Sequence, residues 1–121
     1  MKKTVIIGAT NNPARYAFIA AETLKRYGHE FVPVGIRKGE VMGQPILNIF
    51  DKPVIDNVDT VTLYIGPRRQ PEWYDYILGL KPKRIIFNPG TENSEFEKLS
   101  DDRGIEPVEA CTLVMLRTGQ Y

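Results

Sequence analysis

The chain has 121 residues, 42% of them hydrophobic, and a formal net charge of +1, which suits one compact domain over residues 1–121 without a nucleic-acid or membrane-surface partner. A single cysteine, Cys111, and a single histidine, His29, exclude an internal disulfide framework and argue against a metal site or a Ser-His-Asp triad. No stretch approaches the roughly 18 apolar residues of a membrane span, and the apolar run after Lys3 is too short for a secretory leader, so we expect a cytoplasmic protein.

The first predicted elements are a strand, a turn and a helix. Residues 4–8 (TVIIG) are a β-branched run of the kind that forms a fully buried strand. Asn11 or Asn12 is expected to cap the helix, with Pro13 in its first turn and Gly28 at its C-terminal end. The apolar face of this helix is predicted to comprise Ala17, Ala20, Ala21, Leu24 and Tyr27.

The rest of the chain alternates strands and helices. Residues 30–35 predict a second strand, in which Pro33 indicates an edge or an irregular end. A short strand is expected around residues 46–49 or 53–55. The remaining predicted elements are strands over 59–65, 83–88 and 106–110 and helices over 70–79, 93–103 and 111–119.

This order of elements predicts an α/β, Rossmann-like fold. Strands that alternate with helices form a doubly wound, mostly parallel sheet, here of about five strands, with helices on both faces. In such sheets ligands bind beyond the carboxyl ends of the strands, where the strand order reverses. The loops that follow the strands therefore hold the candidate site residues.

The first of these loops is GATNNPAR, residues 8–15. Of the dinucleotide fingerprint G-x-G-x-x-G it keeps only the first glycine, Gly8. Its backbone N–H groups can still face a phosphate at a helix N-terminus, with added donors from the Thr10, Asn11 and Asn12 side chains and a charge from Arg15. The alternative is an ordinary capped turn with a surface arginine.

The loop after the second strand is basic. NAD sites carry an acid about 20 residues past the glycines, but here Gly35 and Ile36 are followed by Arg37 and Lys38. Two bases suit a phosphorylated ribose, as in NADP or coenzyme A (CoA), through charge-assisted hydrogen bonds. A solvated basic loop is the alternative.

The third loop begins with Ile65, Gly66 and Pro67, which are expected to give a flat surface after a central strand. Arg68 and Arg69 either reach ligand phosphates or remain surface residues.

The fourth loop, FNPGTEN, is expected to turn tightly and cap the next helix, with backbone amides that can face a ligand.

Trp73 and Tyr74 are predicted to pack under the helix over 70–79 rather than to stack on a base.

No catalytic constellation is visible in the sequence. Cys111 has no histidine nearby to activate it, and a lone thiol is more often a small core residue. The acidic residues Glu92, Glu95, Glu106 and Glu109 form no recognisable acid–base pair.

Five segments in order resemble the family of small single-domain CoA-binding proteins, which are similar to the N-terminal CoA-binding domain of the succinyl-CoA synthetase alpha subunit. The first segment, VIIGATNNPARYAF, is similar to the family's G-x-[ST]-x-x-x-x-R turn. The others are GHEFVPVGIR, GQPILNIFDKPVIDNVDTVTLYI, FNPGTEN and GIEPVEACTLVM.

This resemblance implies CoA as the ligand, with NADP as the alternative. It places residues 8–15 at the diphosphate and adenosine end, residues 35–38 beside the adenosine and its ribose phosphate, and the third and fourth loops along the rest of the ligand. The predicted ligand-binding residues are Gly8, Ala9, Thr10, Asn11, Asn12, Arg15, Tyr16, Gly35, Ile36, Arg37, Lys38, Ile65, Gly66, Pro67, Asn88, Pro89, Gly90 and Thr91.

The predicted function is thus a CoA-binding or acyl-CoA-binding module without catalysis of its own and without a metal. One alternative is an NADP-binding or acyl-CoA-handling enzyme that uses Cys111. Another is a nucleotide-sensing regulatory domain in which an apolar surface at residues 113–116 contacts a protein partner or a second copy of the chain.

Overall fold

The structure is a computed structural model that describes residues 1–121. Its strands are β1 Thr4–Ile7, β2 Phe31–Gly35, β3 Glu40–Val41, β4 Gln44–Pro45, β5 Leu47–Asn48, β6 Thr60–Leu63, β7 Arg84–Phe87 and β8 Glu106–Glu109. Its α-helices are α1 Tyr16–Arg26, α2 Tyr74–Gly79, α3 Ser94–Asp102 and α4 Thr112–Arg117. Short 3-10 turns occupy Ile49–Asp51, Pro67–Arg69 and Pro71–Trp73.

Six strands form one parallel sheet in the order β5-β2-β1-β6-β7-β8. Val5 of β1 stands opposite Val32 of β2 on one side and Val61 of β6 on the other. The chain leaves β1 toward β2 and β5 and then returns to the opposite side of β1, so the strand order reverses between β1 and β6. The predicted Rossmann-like fold is confirmed, with six strands in the sheet instead of about five.

Helices cover both faces of the sheet because successive strand residues point to opposite sides. Val5 and Ile7 belong to the same apolar cluster as Phe96 of α3. Ile6, between them, belongs to a second cluster with Leu24 of α1 and Leu116 of α4. Burial on both faces explains why β1 reads as a continuous apolar run.

Helix α1 begins later than the sequence suggested, because residues 10–15 are held in turns of their own. Thr10 Oγ1 accepts a hydrogen bond from the Asn12 N–H at 3.1 Å, and Asn12 Oδ1 accepts from the Ala14 N–H at 3.0 Å. Such side-chain bonds to nearby backbone compete with helix formation. The first helical residue is therefore Tyr16, and neither asparagine caps the helix.

The C-terminal end of α1 is as predicted. Gly28, with φ +83°, follows the last helical turn, and the His29 N–H donates to the Leu24 carbonyl across it. The buried face comprises Ala17, Ala20, Ala21 and Leu24, whereas Tyr27 is exposed.

The loop-rich segment after β2 contains an antiparallel hairpin, β3-β4, that the sequence did not indicate. The short strand expected at residues 46–49 or 53–55 lies at Leu47–Asn48, and residues 53–55 form no strand. Because β5 pairs only with Val34 and Gly35, β2 has a single neighbour at Pro33. Pro33 thus occupies the edge-like position expected for a proline in a strand.

No helix in the structure combines the length and the apolar character needed to cross a membrane.

Candidate functional site

The loops that follow β1, β2, β6 and β7 surround a cleft of about 660 Å³ at the carboxyl end of the sheet. We call it the switch-point cleft. Its lining residues are Ile7, Gly8, Ala9, Thr10, Asn11, Asn12, Arg15, Tyr16, Ala17, Gly35, Ile36, Arg37, Ile49, Tyr64, Ile65, Arg69, Trp73, Pro89, Gly90 and Thr91.

Most of the predicted ligand-binding residues come together in this cleft. Those that do not line it are Lys38, Gly66, Pro67 and Asn88. The first three are exposed. Asn88 is buried, and its side chain is used internally: it donates to Thr62 Oγ1 at 2.6 Å and to the Leu63 carbonyl at 2.8 Å, and it accepts from the Thr112 N–H at 2.9 Å.

The cleft also contains residues that the sequence did not point to as lining residues. Ile49 directly follows β5, and Tyr64 directly follows β6. Both residues follow the rule that ligands bind beyond the carboxyl ends of strands, so a prediction with the correct strand ends would have included them. Trp73 and Tyr74 are buried in the core as predicted, and Trp73 reaches the cleft as well.

Close approach between neighbouring loops requires a glycine at position 8. Gly8 has φ +93°, and a Cβ there would lie 2.9 Å from the Tyr64 carbonyl oxygen and 2.9 Å from Ile65 Cγ2. L-residues rarely adopt this φ, and no real Cβ tolerates these distances. The loop after β1 is therefore pressed against the loop after β6.

Several backbone donors along this loop are free to bind a ligand. The N–H groups of Gly8 and Ala9 both donate to the Val34 carbonyl, at 2.9 and 3.0 Å. By contrast, the N–H groups of Thr10, Asn11, Tyr16 and Ala17 have no acceptor within the protein. Unpaired N–H groups before and within the first turn of a helix favour an anion.

The charged side chains around the cleft are all positive. Arg15, Arg37 and Arg69 line it, and none of them forms an ion pair. No aspartate or glutamate is among the lining residues. Guanidinium groups without a carboxylate partner bind phosphates well, since their donors match phosphate oxygens in pairs.

Tyr64 also lines the cleft, but its phenol is largely enclosed beside the buried Thr62 and Thr112. Burial raises the pKa of its phenol above the ordinary value of 10, because the ionised form loses its hydration. The phenol therefore stays protonated and uncharged at physiological pH.

Cys111 lies outside the switch-point cleft. It is half-buried, follows β8 and precedes the first residue of α4. In α4, Leu113 and Leu116 are buried and Val114 is exposed. Most of the apolar surface considered for a partner at residues 113–116 is therefore occupied by the protein's own core.

Comparisons with known proteins point to one family. A family model described as "CoA binding domain" matches residues 2–117. No curated protein matches the chain significantly.

Solved structures share the fold. A crystal structure of an uncharacterized protein is 61% identical, covering 100% of this chain and 98% of its own, with a TM-score of 0.97. A hypothetical protein from Pyrococcus horikoshii OT3 is 25% identical over 97% of this chain and 82% of its own, with a TM-score of 0.84. A protein from Thermus thermophilus, cell-free ID.343, is 23% identical over 99% of this chain and 90% of its own, with a TM-score of 0.85.

Proposed function

The chain belongs to the CoA-binding domain family, and from this premise we propose that it binds coenzyme A, free or as an acyl thioester, in the switch-point cleft. The observation that carries the proposal is the charge of the cleft, which has three unpaired arginines and no carboxylate. CoA presents a diphosphate and a ribose 3′-phosphate, so it offers three phosphate groups to such a site.

The positions of the arginines suggest how CoA lies. Arg15 follows the free N–H groups of Thr10 and Asn11, and together they suit the diphosphate. Arg37 is on the loop after β2, at the place where NAD sites carry an acid, and it suits the ribose phosphate. The pantetheine arm then runs along Ile65 and the loop at residues 89–91.

We propose binding without catalysis. The residues that line the cleft include no histidine, cysteine, lysine, aspartate or glutamate. General acid–base and nucleophilic mechanisms most often use such groups, and the hydroxyl groups of the lining threonines and tyrosines have no base among the lining residues to activate them. The enzymatic alternative that uses Cys111 lacks support because Cys111 lies outside the cleft.

Isothermal titration calorimetry with CoA, dephospho-CoA and NADPH tests the proposal. We expect CoA to bind at least about tenfold more tightly than dephospho-CoA, since charge-assisted hydrogen bonds contribute about 1.5–3 kcal/mol. The absence of binding by CoA at millimolar concentration would sink the proposal. Tighter binding of NADPH than of CoA would replace it with the NADP alternative, which the same basic loop after β2 also suits.

A further inference from the structure

Gln70 is a completely buried amide that joins two walls of the switch-point cleft. Its Nε2 donates to the Ile65 carbonyl at 3.0 Å and to the Thr91 carbonyl at 2.8 Å. Ile65 and Thr91 both line the cleft, one on the loop after β6 and the other on the loop after β7. Carbonyl groups only accept hydrogen bonds, so the amide has its NH₂ group toward them.

The other end of the Gln70 amide is also held. Its Oε1 accepts from Asn93 Nδ2 at 2.9 Å. Asn93 in turn caps α3, because its Oδ1 accepts from the Phe96 N–H. Gln70 therefore uses both N–H groups and its oxygen. A buried amide with all these partners keeps one orientation, because losing any of them leaves a polar group unsatisfied away from water.

The loop after β1 is positioned by different contacts. The Val34 carbonyl accepts from the Gly8 and Ala9 N–H groups, and side chains within residues 10–15 hold the turns that follow. The hydrogen bonds that hold residues 8–15 thus come from β2 and from the segment itself, whereas Ile65 and Thr91 share Gln70 as their partner. The two halves of the cleft meet by packing, where Gly8 lies against Ile65.

We infer that Gln70 is a positioning residue for the pantetheine arm of CoA, because it fixes the spacing between the Ile65 and Thr91 backbones along which the arm lies. This inference rests on the proposed function for the identity of the ligand. The role of Gln70 in holding the two loops rests on its hydrogen bonds alone.

Binding of two ligands, CoA and a fragment of it, distinguishes the contributions of the two halves of the cleft. Adenosine 3′,5′-bisphosphate carries the nucleotide end of CoA without the pantetheine arm. For Gln70→Met, which keeps the side-chain length and loses the hydrogen bonds, we expect CoA affinity to fall about tenfold and the affinity for the bisphosphate to change by less than about twofold. Gln70→Asn, one methylene shorter, should show the same pattern and is the second variant should Gln70→Met fold poorly.

Ser100→Ala is the matched control for lost stability. Ser100 is fully buried in α3 and donates to the Phe96 carbonyl at 2.8 Å, but it does not line the cleft. It should lower the melting temperature and leave the affinity for both ligands unchanged. Equal losses of CoA and bisphosphate affinity in Gln70→Met, or no loss of either, would overturn the inference.

Amide hydrogen exchange in the absence of ligand tests whether Gln70 holds the two loops, independently of the proposed function. Exchange at residues 64–66 and 90–92 should be faster in Gln70→Met than in wild type and in Ser100→Ala, since the two loops lose their common partner. Unchanged exchange there would remove the positioning role even if CoA binds. Faster exchange in a protein that binds neither ligand would retain the loop-holding role and reject CoA as the ligand.

Discussion

Gly35 lies so close to Ala9 that a Cβ on Gly35 would be 2.7 Å from the Ala9 carbonyl oxygen. The end of β2 therefore supports the loop after β1 through direct backbone contact, without room for a methyl group. Since Ala9 lines the switch-point cleft, any displacement here moves the backbone donors that follow it.

We expect Gly35→Ala to destabilise the protein by about 1–3 kcal/mol through overpacking and to weaken CoA binding. Urea denaturation and calorimetry measure the two effects. Gly79→Ala is the control: Gly79 ends α2 with open space around its Cβ position, so stability should stay the same or rise by up to about 1 kcal/mol. Wild-type stability and CoA affinity in Gly35→Ala would show that the loop tolerates the shift.

Arg37 and Lys38 form a matched pair for the ribose phosphate. Both are exposed and basic, but only Arg37 lines the cleft. Arg37→Ala should lower CoA affinity about tenfold and leave dephospho-CoA affinity unchanged, because it removes charge-assisted hydrogen bonds to the 3′-phosphate alone. Lys38→Ala should change neither by more than about twofold. If titration shows the same loss for CoA and dephospho-CoA in Arg37→Ala, Arg37 does not read the ribose phosphate.

Arg69 and Arg68 offer the same comparison on the loop after β6. Arg69 lines the cleft and Arg68 does not, although both are exposed. We expect Arg69→Ala to weaken CoA binding about tenfold, through the diphosphate phosphate that joins the pantetheine arm, and Arg68→Ala by less than about twofold, because a direct phosphate contact is stronger than a screened surface charge. Titrations at low and high salt measure this difference. Equal losses in the two variants would indicate a general field effect without a contact from Arg69.

His29 gives a prediction about stability and pH. Burial first, and then nearby positive charges that include Lys2 and Arg84, lower the pKa of His29 below the ordinary histidine value of 6.5. Its Nδ1 accepts from the Lys2 N–H at 3.0 Å, which requires the neutral ring. The folded state binds its proton less readily than the unfolded state, so this stabilisation is complete above pH 6.5 and disappears as pH falls through the folded pKa.

The measurement compares melting temperatures of wild type and His29→Asn between pH 7.5 and pH 5, an interval that brackets the ordinary pKa of about 6.5. Wild type should lose more stability on acidification than His29→Asn, whose amide oxygen can accept the Lys2 hydrogen bond at both pH values. Parallel curves for the two proteins would show that His29 does not contribute to the acid sensitivity.

The core strands and the four loops around the cleft could be predicted because their signals are local. β1 and β7 are apolar runs buried on both faces, and in a parallel sheet each loop at a carboxyl end faces the same edge. The resemblance to CoA-binding proteins, drawn from five ordered segments, is confirmed by the family match. These sequence signals identify which loops surround the cleft, but not which side chains within a loop face it.

The remaining features depend on contacts between distant parts of the chain. Asn88 looks like a site residue in the sequence, but Thr62 and Thr112 occupy its side chain. Gln70 looks like a polar loop residue and is completely buried. Whether Arg68 or Arg69 faces the cleft is set by the 3-10 turn at Pro67–Arg69, whose geometry the composition of the loop does not reveal.

The turns within residues 10–15 have a consequence for the kinetics of binding. Hydrogen bonds to Thr10 Oγ1, Asn12 Oδ1 and the Asn12 carbonyl hold this segment through its own groups. The conformational entropy of ordering the loop is therefore lost when the protein folds and not when the ligand arrives. A phosphate compound should find its donors in place and dock as a rigid body, so association needs no loop closure and differences between related ligands should appear in their dissociation rates.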